Sequence, residues 1–364
     1  MAQFQVRKDQ FETCRVVGTD EAVDASLLNG GDVLLRVDRF AYTANNITYA
    51  VAGDSLGYWQ FFPALGADSV GWGITPVWGF ADVVISKADG VPVGERLFGY
   101  FPPADMLTMT PVRISAQRLF DGAAHRAALP PGYNSYTRVN AEAGYDRRLD
   151  AIRMLLFPLH MTSFCLWDML QSKGWFGARQ ILILSASSKT SIGLALAMSA
   201  DTEAPPAIAL TSKQHAGFVT RLGLYQQVLS YTELAGLDAR IPTAIVDMSG
   251  NADALSELRA VLGDNMRRCI NVGMTHWQAG VSASTSAADR SEFFFAPAHI
   301  QKRIHDWGAE GFAARTAEFL RRSAEHSRAW MQVSTLAGLD SLAAAYPDIC
   351  TGRIAAEQGL IVVM

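Results

Sequence analysis

The sequence predicts an α/β protein in which a β-rich region precedes a doubly wound parallel sheet. First, its 364 residues are enough for two domains or more. Second, 49% of them are hydrophobic and 18% are charged, which excludes a disordered or collagen-like chain. Third, the pattern changes near residue 150, from short β-rich segments to strands that alternate with helices.

The β-rich region runs from about residue 32 to residue 111. Segments 33–37, 83–85 and 96–100 consist mainly of β-branched, aromatic and other apolar residues, and glycine and proline separate them. We therefore expect a compact β-domain here, without long helices.

A long helix is predicted over residues 151–172, because apolar residues recur there at helical spacing and Lys173-Gly174 provides a stop signal. Strands and helices alternate beyond it. The expected strands are 180–184, 207–210, 227–230, 244–247 and 269–272, and the expected helices are 191–199, 217–223 and 252–262. This alternation is typical of a parallel doubly wound sheet, which binds ligands beyond the carboxyl ends of its strands. We expect a nucleotide to bind to this half.

The composition excludes several classes of partner. A formal net charge of −4 leaves no excess of positive charge to neutralise a nucleic acid backbone. The first residues lack the apolar stretch of a signal peptide, and the most apolar segment, 154–170, is shorter than the roughly 20 residues of a membrane span. We therefore expect a protein that is not exported and binds neither nucleic acid nor membrane.

The four cysteines, Cys14, Cys165, Cys269 and Cys350, are isolated in the sequence. They form no CxxC pair and have no histidine nearby at ligand spacing, which argues against both a zinc site and a disulfide framework. No metal is predicted, and a reducing cytoplasm is the expected location.

The order of these segments resembles the medium-chain dehydrogenase/reductase superfamily, especially its zinc-free quinone-reductase and enoyl-reductase branch. Residues 79–84 and 93–99 resemble its glycine-led strand and "GDRV.G" turn, with Glu95 where aspartate is usual. The second half resembles, in order, the family's second strand, "K.LG" helix, "VINY" strand, "VVD..GG" strand, nicotinamide-side strand and closing segment. The corresponding residues are 207–213, 218–223, 228–231, 244–250, 270–273 and 338–364.

The resemblance implies a GroES-like β-domain and a Rossmann-like dinucleotide-binding domain. The first would comprise residues 1–149, with 330–364 returning to it, and the second residues 150–329. Since one fold supports many functions, activity does not follow from the fold alone.

The turn after the first strand of the parallel sheet, residues 185–193, is the expected phosphate site. It is about two residues longer than the family's usual turn, and only Gly193 remains of the glycine fingerprint, so positive φ and close backbone approach are restricted. Hydroxyls of Ser187, Ser188 and Thr190 and the charge of Lys189 could still hold a phosphate. The alternative is that these hydroxyl residues only cap the following helix.

The end of the second strand distinguishes the two dinucleotides, because an acidic residue there binds the ribose 2′-hydroxyl of NADH. This sequence instead has Ser212 and Lys213, which favour the 2′-phosphate of NADPH. The alternative for Lys213 is an ordinary solvated surface lysine.

Residues 44–53 resemble the zinc-free pattern "N...Y...G". The resemblance implies that Asn45 and Tyr49 face the nicotinamide, where an amide can hold a substrate carbonyl and a neutral phenol can donate to it. Alternatively, Tyr49 is a half-buried tyrosine of the β-domain. The many aromatic residues nearby predict either a flat, apolar substrate pocket or simply core.

Four further positions near the nicotinamide follow from the resemblance: Thr162, in a segment similar to "GLTA", and Gly273, Met274 and Thr275, beyond a strand's carboxyl end. His160 and His276 are secondary candidates. His160 could relay a proton, or it could be a satisfied structural histidine.

Residues 292–297 resemble the edge strand through which family members pair their sheets, which implies a homodimer; a buried core strand is the alternative. Residues 303–328 are predicted to be helices without evident chemistry.

The function that these features imply together is zinc-independent transfer of a hydride from NADPH to an apolar conjugated ketone or quinone. The first alternative is a redox-silent member of the fold, either a lyase-like or hydrolase-like enzyme or a ligand-binding module that has lost the dinucleotide. The second is a non-enzymatic dimeric partner protein.

Overall fold

A computed structural model describes residues 1–18, 26, 28–55, 57–272 and 290–364. These residues form two compact units. Unit 1 comprises Met1–Leu155 and Met331–Met364, and unit 2 comprises Leu156–Trp330.

The strands and helices are numbered here along the chain. The strands are β1 (Ala2–Arg7), β2 (Cys14–Gly18), β3 (Val33–Tyr42), β4 (Trp72–Gly73), β5 (Val77–Ser86), β6 (Arg96–Phe101), β7 (Met106–Met109), β8 (Pro111–Val112), β9 (Arg118–Asp121), β10 (Ser135–Arg138), β11 (Gln180–Leu184), β12 (Ala207–Thr211), β13 (Gln227–Ser230), β14 (Thr243–Asp247), β15 (Met266–Val272), β16 (Ser291–Phe294), β17 (Gln332–Ala337) and β18 (Gln358–Val363). The α-helices are α1 (Ala44–Val51), α2 (Asp150–Ser172), α3 (Lys189–Ser199), α4 (Lys213–Arg221), α5 (Ala252–Leu262), α6 (Ala296–Ser327) and α7 (Gly338–Cys350).

Unit 1 is built on a large sheet in the order β17-β18-β3-β5-β6-β10-β9-β8, with β7 also paired to β3. A smaller sheet has the order β2-β1-β4. Side chains alternate between the two faces of each strand, so Leu97 and Phe101 of β6 enter the main core while Phe98 and Tyr100 lie on the other face. The predicted strands 33–37, 83–85 and 96–100 lie within β3, β5 and β6.

Unit 2 contains a parallel sheet in the order β13-β12-β11-β14-β15-β16. Every expected strand is present, and the predicted doubly wound fold is confirmed. β11, β13 and α5 have the predicted bounds. β16 forms one end of the described sheet and is shorter than the predicted segment 292–297, because α6 begins at Ala296.

α2 is the one helix, among the described residues, long and apolar enough to cross a membrane by length and composition; the whole stretch is Arg147–Ser172. Within unit 2, however, its residues Phe164, Leu166 and Leu170 are part of the hydrophobic core. α2 is therefore a core helix of the folded chain.

Candidate active site

The turn between β11 and α3 is tight, and a serine replaces the expected glycine. Ser185 adopts φ = 53°, in the left-handed region that favours glycine. Two tyrosines hold the turn: the Tyr231 hydroxyl accepts from the Ser185 amide at 3.0 Å, and the Tyr225 hydroxyl donates to the Ala186 carbonyl at 3.0 Å. The expectation that loss of glycine restricts positive φ is therefore wrong at Ser185.

The hydroxyls of this turn have different partners. Ser188 is the N-cap of α3: its Oγ accepts from the Ser191 amide at 3.2 Å and donates to Ser191 Oγ at 2.8 Å. This agrees with the capping interpretation for Ser188. Lys189 and Thr190 form the first turn of α3, where the helix dipole favours an anion. Their role in phosphate binding stays a prediction.

Ser187 belongs to a polar cluster at the carboxyl ends of β11 and β12. His215 Nδ1 lies 3.2 Å from Ser187 Oγ and 3.1 Å from Ser212 Oγ, and Thr211 Oγ1 donates to Ser187 Oγ at 3.4 Å. Lys213, beside them, is exposed. The cluster thus joins Ser187 and Ser212, predicted from separate segments, through one histidine.

Sequence reasoning missed His215. Ser212 is the N-cap of α4, and His215 is three residues later, at the position whose side chain reaches back to the N-cap in a capping box. That spacing, with histidine where glutamate is usual, was the available signal. His215 can orient both serine hydroxyls.

α3 lies close against α2, and Gly193 permits this approach. A Cβ at Gly193 would lie 2.5 Å from Ser163 Oγ and 2.8 Å from His160 Cδ2. Ser163 Oγ donates to the Thr190 carbonyl at 2.7 Å. Gly193 therefore serves the packing of α3 against α2.

His160 is buried in unit 2 with both ring nitrogens engaged. Nε2 donates to the Lys189 carbonyl at 3.1 Å, and Nδ1 contacts Ser323 Oγ. Burial lowers the pKa of His160 to about 3, so the imidazole is neutral at physiological pH. The geometry matches a satisfied structural histidine, which was one of the two interpretations.

The remaining predicted nicotinamide contacts are only partly described. Thr162 Oγ1 donates to the Pro158 carbonyl at 3.1 Å, a bond within α2. Gly273, Met274, Thr275 and His276 lie outside the described residues.

In unit 1, Asn45 and Tyr49 lie on α1, four residues apart and so on one side of the helix. A capping box between Thr43 and Asn46 starts this helix. Tyr49 is only 5% exposed, more buried than predicted. Burial raises the pKa of Tyr49 well above its usual value, while interactions with the side chains of Trp78, Asn45 and Tyr100 oppose the shift. Tyr49 is consequently a neutral phenol that retains its proton.

Tyr49 belongs to a cluster of tyrosines. Its ring centroid is 4.4 Å from that of Tyr58 and 5.9 Å from that of Tyr100, which it meets edge-on. The hydroxyls of Tyr58 and Tyr133 are 3.2 Å apart. We refer to Tyr49, Tyr58, Tyr100 and Tyr133 as the tyrosine cluster. Phenols in such an arrangement can donate hydrogen bonds to a carbonyl oxygen.

Within the described residues, no group of three or more histidine, cysteine or acidic side chains could hold a metal ion.

Solved structures show which proteins share this fold. CurA from Vibrio vulnificus, in complex with NADPH, has a TM-score of 0.65 at 12% identity, covering 100% of this chain and 99% of that one. The YhdH oxidoreductase from Salmonella enterica, in complex with NADP, has a TM-score of 0.55 at 14% identity. Mycobacterial Rv1454c, complexed with NADPH, has a TM-score of 0.57 at 13% identity. Both alignments cover 100% of this chain and 100% of the other chain. The predicted fold of a GroES-like and a Rossmann-like domain is confirmed.

No curated protein matches this sequence. A family model does match, over residues 40–355, and its description is "Protein of unknown function (DUF2855)". Because this match spans most of the sequence, the chain belongs to the DUF2855 family.

Proposed function

We propose that this protein is a zinc-independent reductase that transfers a hydride from NADPH to a conjugated ketone or quinone. One observation carries the proposal: the chain has, over its full length, the fold of CurA and YhdH, whose structures hold NADPH and NADP. Further support comes from the polar cluster around His215 in unit 2 and from the tyrosine cluster in unit 1.

The turn of unit 2 fits a dinucleotide. α3 begins directly beyond the carboxyl end of β11, where a parallel doubly wound sheet binds its ligand. The first amides of a helix lack partners within the helix and attract phosphate. Ser187, Lys189 and Thr190 would hold the pyrophosphate, and Ser188 would shape the turn as its N-cap.

The cluster at the end of β12 fits a 2′-phosphate. Thr211 and Ser212 stand where an acidic residue would repel it, and the exposed Lys213 supplies a positive charge. Ser187 and Ser212, held by His215, would donate hydrogen bonds to the phosphate oxygens. This arrangement favours NADPH over NADH.

When bound, NADPH supplies a hydride, so that a conjugated ketone, NADPH and a proton become the saturated ketone and NADP⁺. Tyr49 would donate a hydrogen bond to the substrate's carbonyl oxygen as that oxygen gains negative charge. Because its pKa is raised, Tyr49 keeps its proton until a strongly basic oxygen is formed beside it. Asn45, on the same side of α1, would position the carbonyl. Thr162, Gly273, Met274 and Thr275 remain proposed nicotinamide contacts.

The test combines cofactor binding with turnover. Millimolar NADPH should raise the melting temperature, since a ligand that binds only the folded state stabilises it. A screen of quinones and enones, followed by NADPH absorbance, identifies the substrate. Tyr49→Phe should still bind NADPH but lose about 100-fold in turnover. Tyr346→Phe, another buried tyrosine of unit 1, is the matched control and should retain turnover. Full turnover of Tyr49→Phe removes this residue from the mechanism.

A redox-silent ligand-binding module is the second candidate. It is favoured by one observation: the Ser185 amide, at the start of the phosphate turn, already donates to the Tyr231 hydroxyl. An unchanged melting temperature at millimolar NADPH supports this candidate and overturns the reductase.

We also propose a cytoplasmic homodimer that pairs through β16. β16 lies at one end of the described sheet, and Phe293 and Phe295 are 39% and 42% exposed. None of the four cysteines forms a disulfide bond within the described residues, which accords with a reducing compartment. Sedimentation equilibrium should give twice the chain mass, and Phe293→Asp should reduce it to that of one chain.

A further inference from the structure

Tyr100, in the middle of the tyrosine cluster, was not identified by sequence reasoning. It lies on β6 directly opposite Trp78 of β5, and their ring centroids are 5.2 Å apart. The ring centroid of Tyr133 lies 4.7 Å from that of Tyr100, with the two planes tilted by 33°, and Phe61 meets Tyr100 edge-on at 5.2 Å. Tyr100 has no solvent exposure. Its aromatic ring is therefore fixed on all these sides.

The Tyr100 hydroxyl makes no well-formed hydrogen bond within the described residues, and its interaction with the Tyr49 side chain helps to raise its pKa. Other buried tyrosines of unit 1 do make such bonds: Tyr42 binds Thr75 Oγ1, Tyr136 donates to the Tyr100 carbonyl, and Tyr346 donates to the Phe11 carbonyl. A buried hydroxyl without a partner costs folding free energy, and phenylalanine would fill the same space without that cost. Phe98, two residues earlier on the same face of β6, shows that phenylalanine is compatible with this layer.

Tyr100 and Tyr49 are neighbours with the same donor chemistry. Their rings meet edge-on at 5.9 Å, and burial raises the pKa of each well above its usual value. Both hydroxyls therefore carry their protons at neutral pH. The other two members of the cluster, Tyr58 and Tyr133, contact each other through their hydroxyls at 3.2 Å. Tyr100 thus interacts with the Tyr49 hydroxyl without a well-formed hydrogen bond to it.

We propose that Tyr100 donates a second hydrogen bond to the same substrate oxygen as Tyr49. This rests on the proposed function, and it specifies the substrate as a carbonyl compound whose oxygen becomes an enolate or phenolate on reduction. Such an oxygen has lone pairs for two donors, and two preorganised phenols stabilise its charge more than one. The substrate oxygen would then give the Tyr100 hydroxyl the well-formed hydrogen bond that it does not make with the described residues.

The test uses 4-nitrophenol as a probe, because its anion resembles the enolate and its ionisation is visible by absorbance. The wild-type chain, without NADPH, should bind the anion and lower the probe's apparent pKa. Tyr100→Phe and Tyr49→Phe should each weaken binding by at least tenfold, the size expected for one hydrogen bond to a charged oxygen. Tyr136→Phe, on the neighbouring strand, should bind the probe as the wild type does.

Stability provides an independent measurement. Tyr100→Phe should melt at or above the wild-type temperature, because it removes an unsatisfied group, whereas Tyr136→Phe should melt lower, because it removes a made bond. The proposal is overturned if Tyr100→Phe binds the anion as tightly as the wild type does, or if its melting temperature is clearly lower. It is also overturned if the wild type does not bind the anion either with or without NADPH. Tyr100-dependent binding in a chain that NADPH does not stabilise would instead refute the reductase and retain the oxyanion site.

Discussion

Replacing Gly193 by alanine tests the packing that sets the position of α3. The added Cβ would lie 2.5 Å from Ser163 Oγ and 2.8 Å from His160 Cδ2, both closer than normal van der Waals contact. Neither neighbour can retreat easily, because Ser163 Oγ is bonded to the Leu159 and Thr190 carbonyls and the His160 ring is held at both nitrogens.

The magnitude follows from two opposing effects. Overpacking a rigid site costs about 1–3 kcal/mol, and alanine gains about 0.5–1 kcal/mol over glycine inside a helix. We therefore expect a net loss of about 1–2 kcal/mol for Gly193→Ala, measured as a fall in melting temperature of roughly 2–8 °C.

Gly217→Ala is the matched control, since it lies in α4 of the same unit and its Cβ would approach nothing closer than Arg221 Nη1 at 3.7 Å. This variant should gain about 0.5–1 kcal/mol. Differential scanning calorimetry measures both. If Gly193→Ala is as stable as Gly217→Ala, close contact between α2 and α3 does not require glycine, and the packing argument is refuted.

Two further predictions concern histidines. Because the pKa of folded His160 is about 3 and that of the unfolded chain about 6.5, neutral His160 contributes stability that is complete above pH 6.5 and is lost as the pH falls towards 3. Between pH 6 and 4, the free energy of unfolding of the wild type should therefore fall by up to about 1.4 kcal/mol per pH unit more than that of His160→Gln. Urea titrations at several pH values measure both, and an equal dependence on pH in the two proteins would contradict the low pKa of His160. His215→Ala should weaken NADPH binding about tenfold and leave NADH binding unchanged in fluorescence titrations, because Ser187 and Ser212 lose their common partner. Gln214→Ala, the exposed neighbour on α4, should change neither affinity.

The fold could be predicted best where the local sequence alone indicates which residues are buried and where a helix begins and ends. β11 matches its predicted bounds because a continuous apolar run follows Gln180 and ends before the polar Ser185. α5 matches because Asn251 caps it and Gly263 follows it. α4 begins at Lys213 rather than at residue 217, since the polar, exposed Gln214 obscures the apolar period. α1 was missed because its β-branched and aromatic residues favour strand, and the Thr43 capping box overrides them.

The candidate site was less accessible to sequence reasoning. The location of the turn between β11 and α3 followed from the order of strands, but the φ of Ser185 and the bond from its amide to Tyr231 depend on tertiary contacts. The meeting of Tyr49, on α1, with Tyr100, on β6, is a tertiary contact that no local pattern encodes. Aromatic residues alone could not distinguish a core from a donor site.

The sheet of unit 1 is completed by the last strand of the chain. β18 pairs with residues 39–42 of β3, while β7 pairs with residues 33–36 of the same strand. On the ribosome, half of that β3 edge must therefore wait until all of unit 2 has been translated, and β17, which follows unit 2, pairs with β18. Nascent or prematurely terminated chains would present this part of β3 as an unpaired, apolar strand edge for much of their synthesis, and such an edge can pair with other chains.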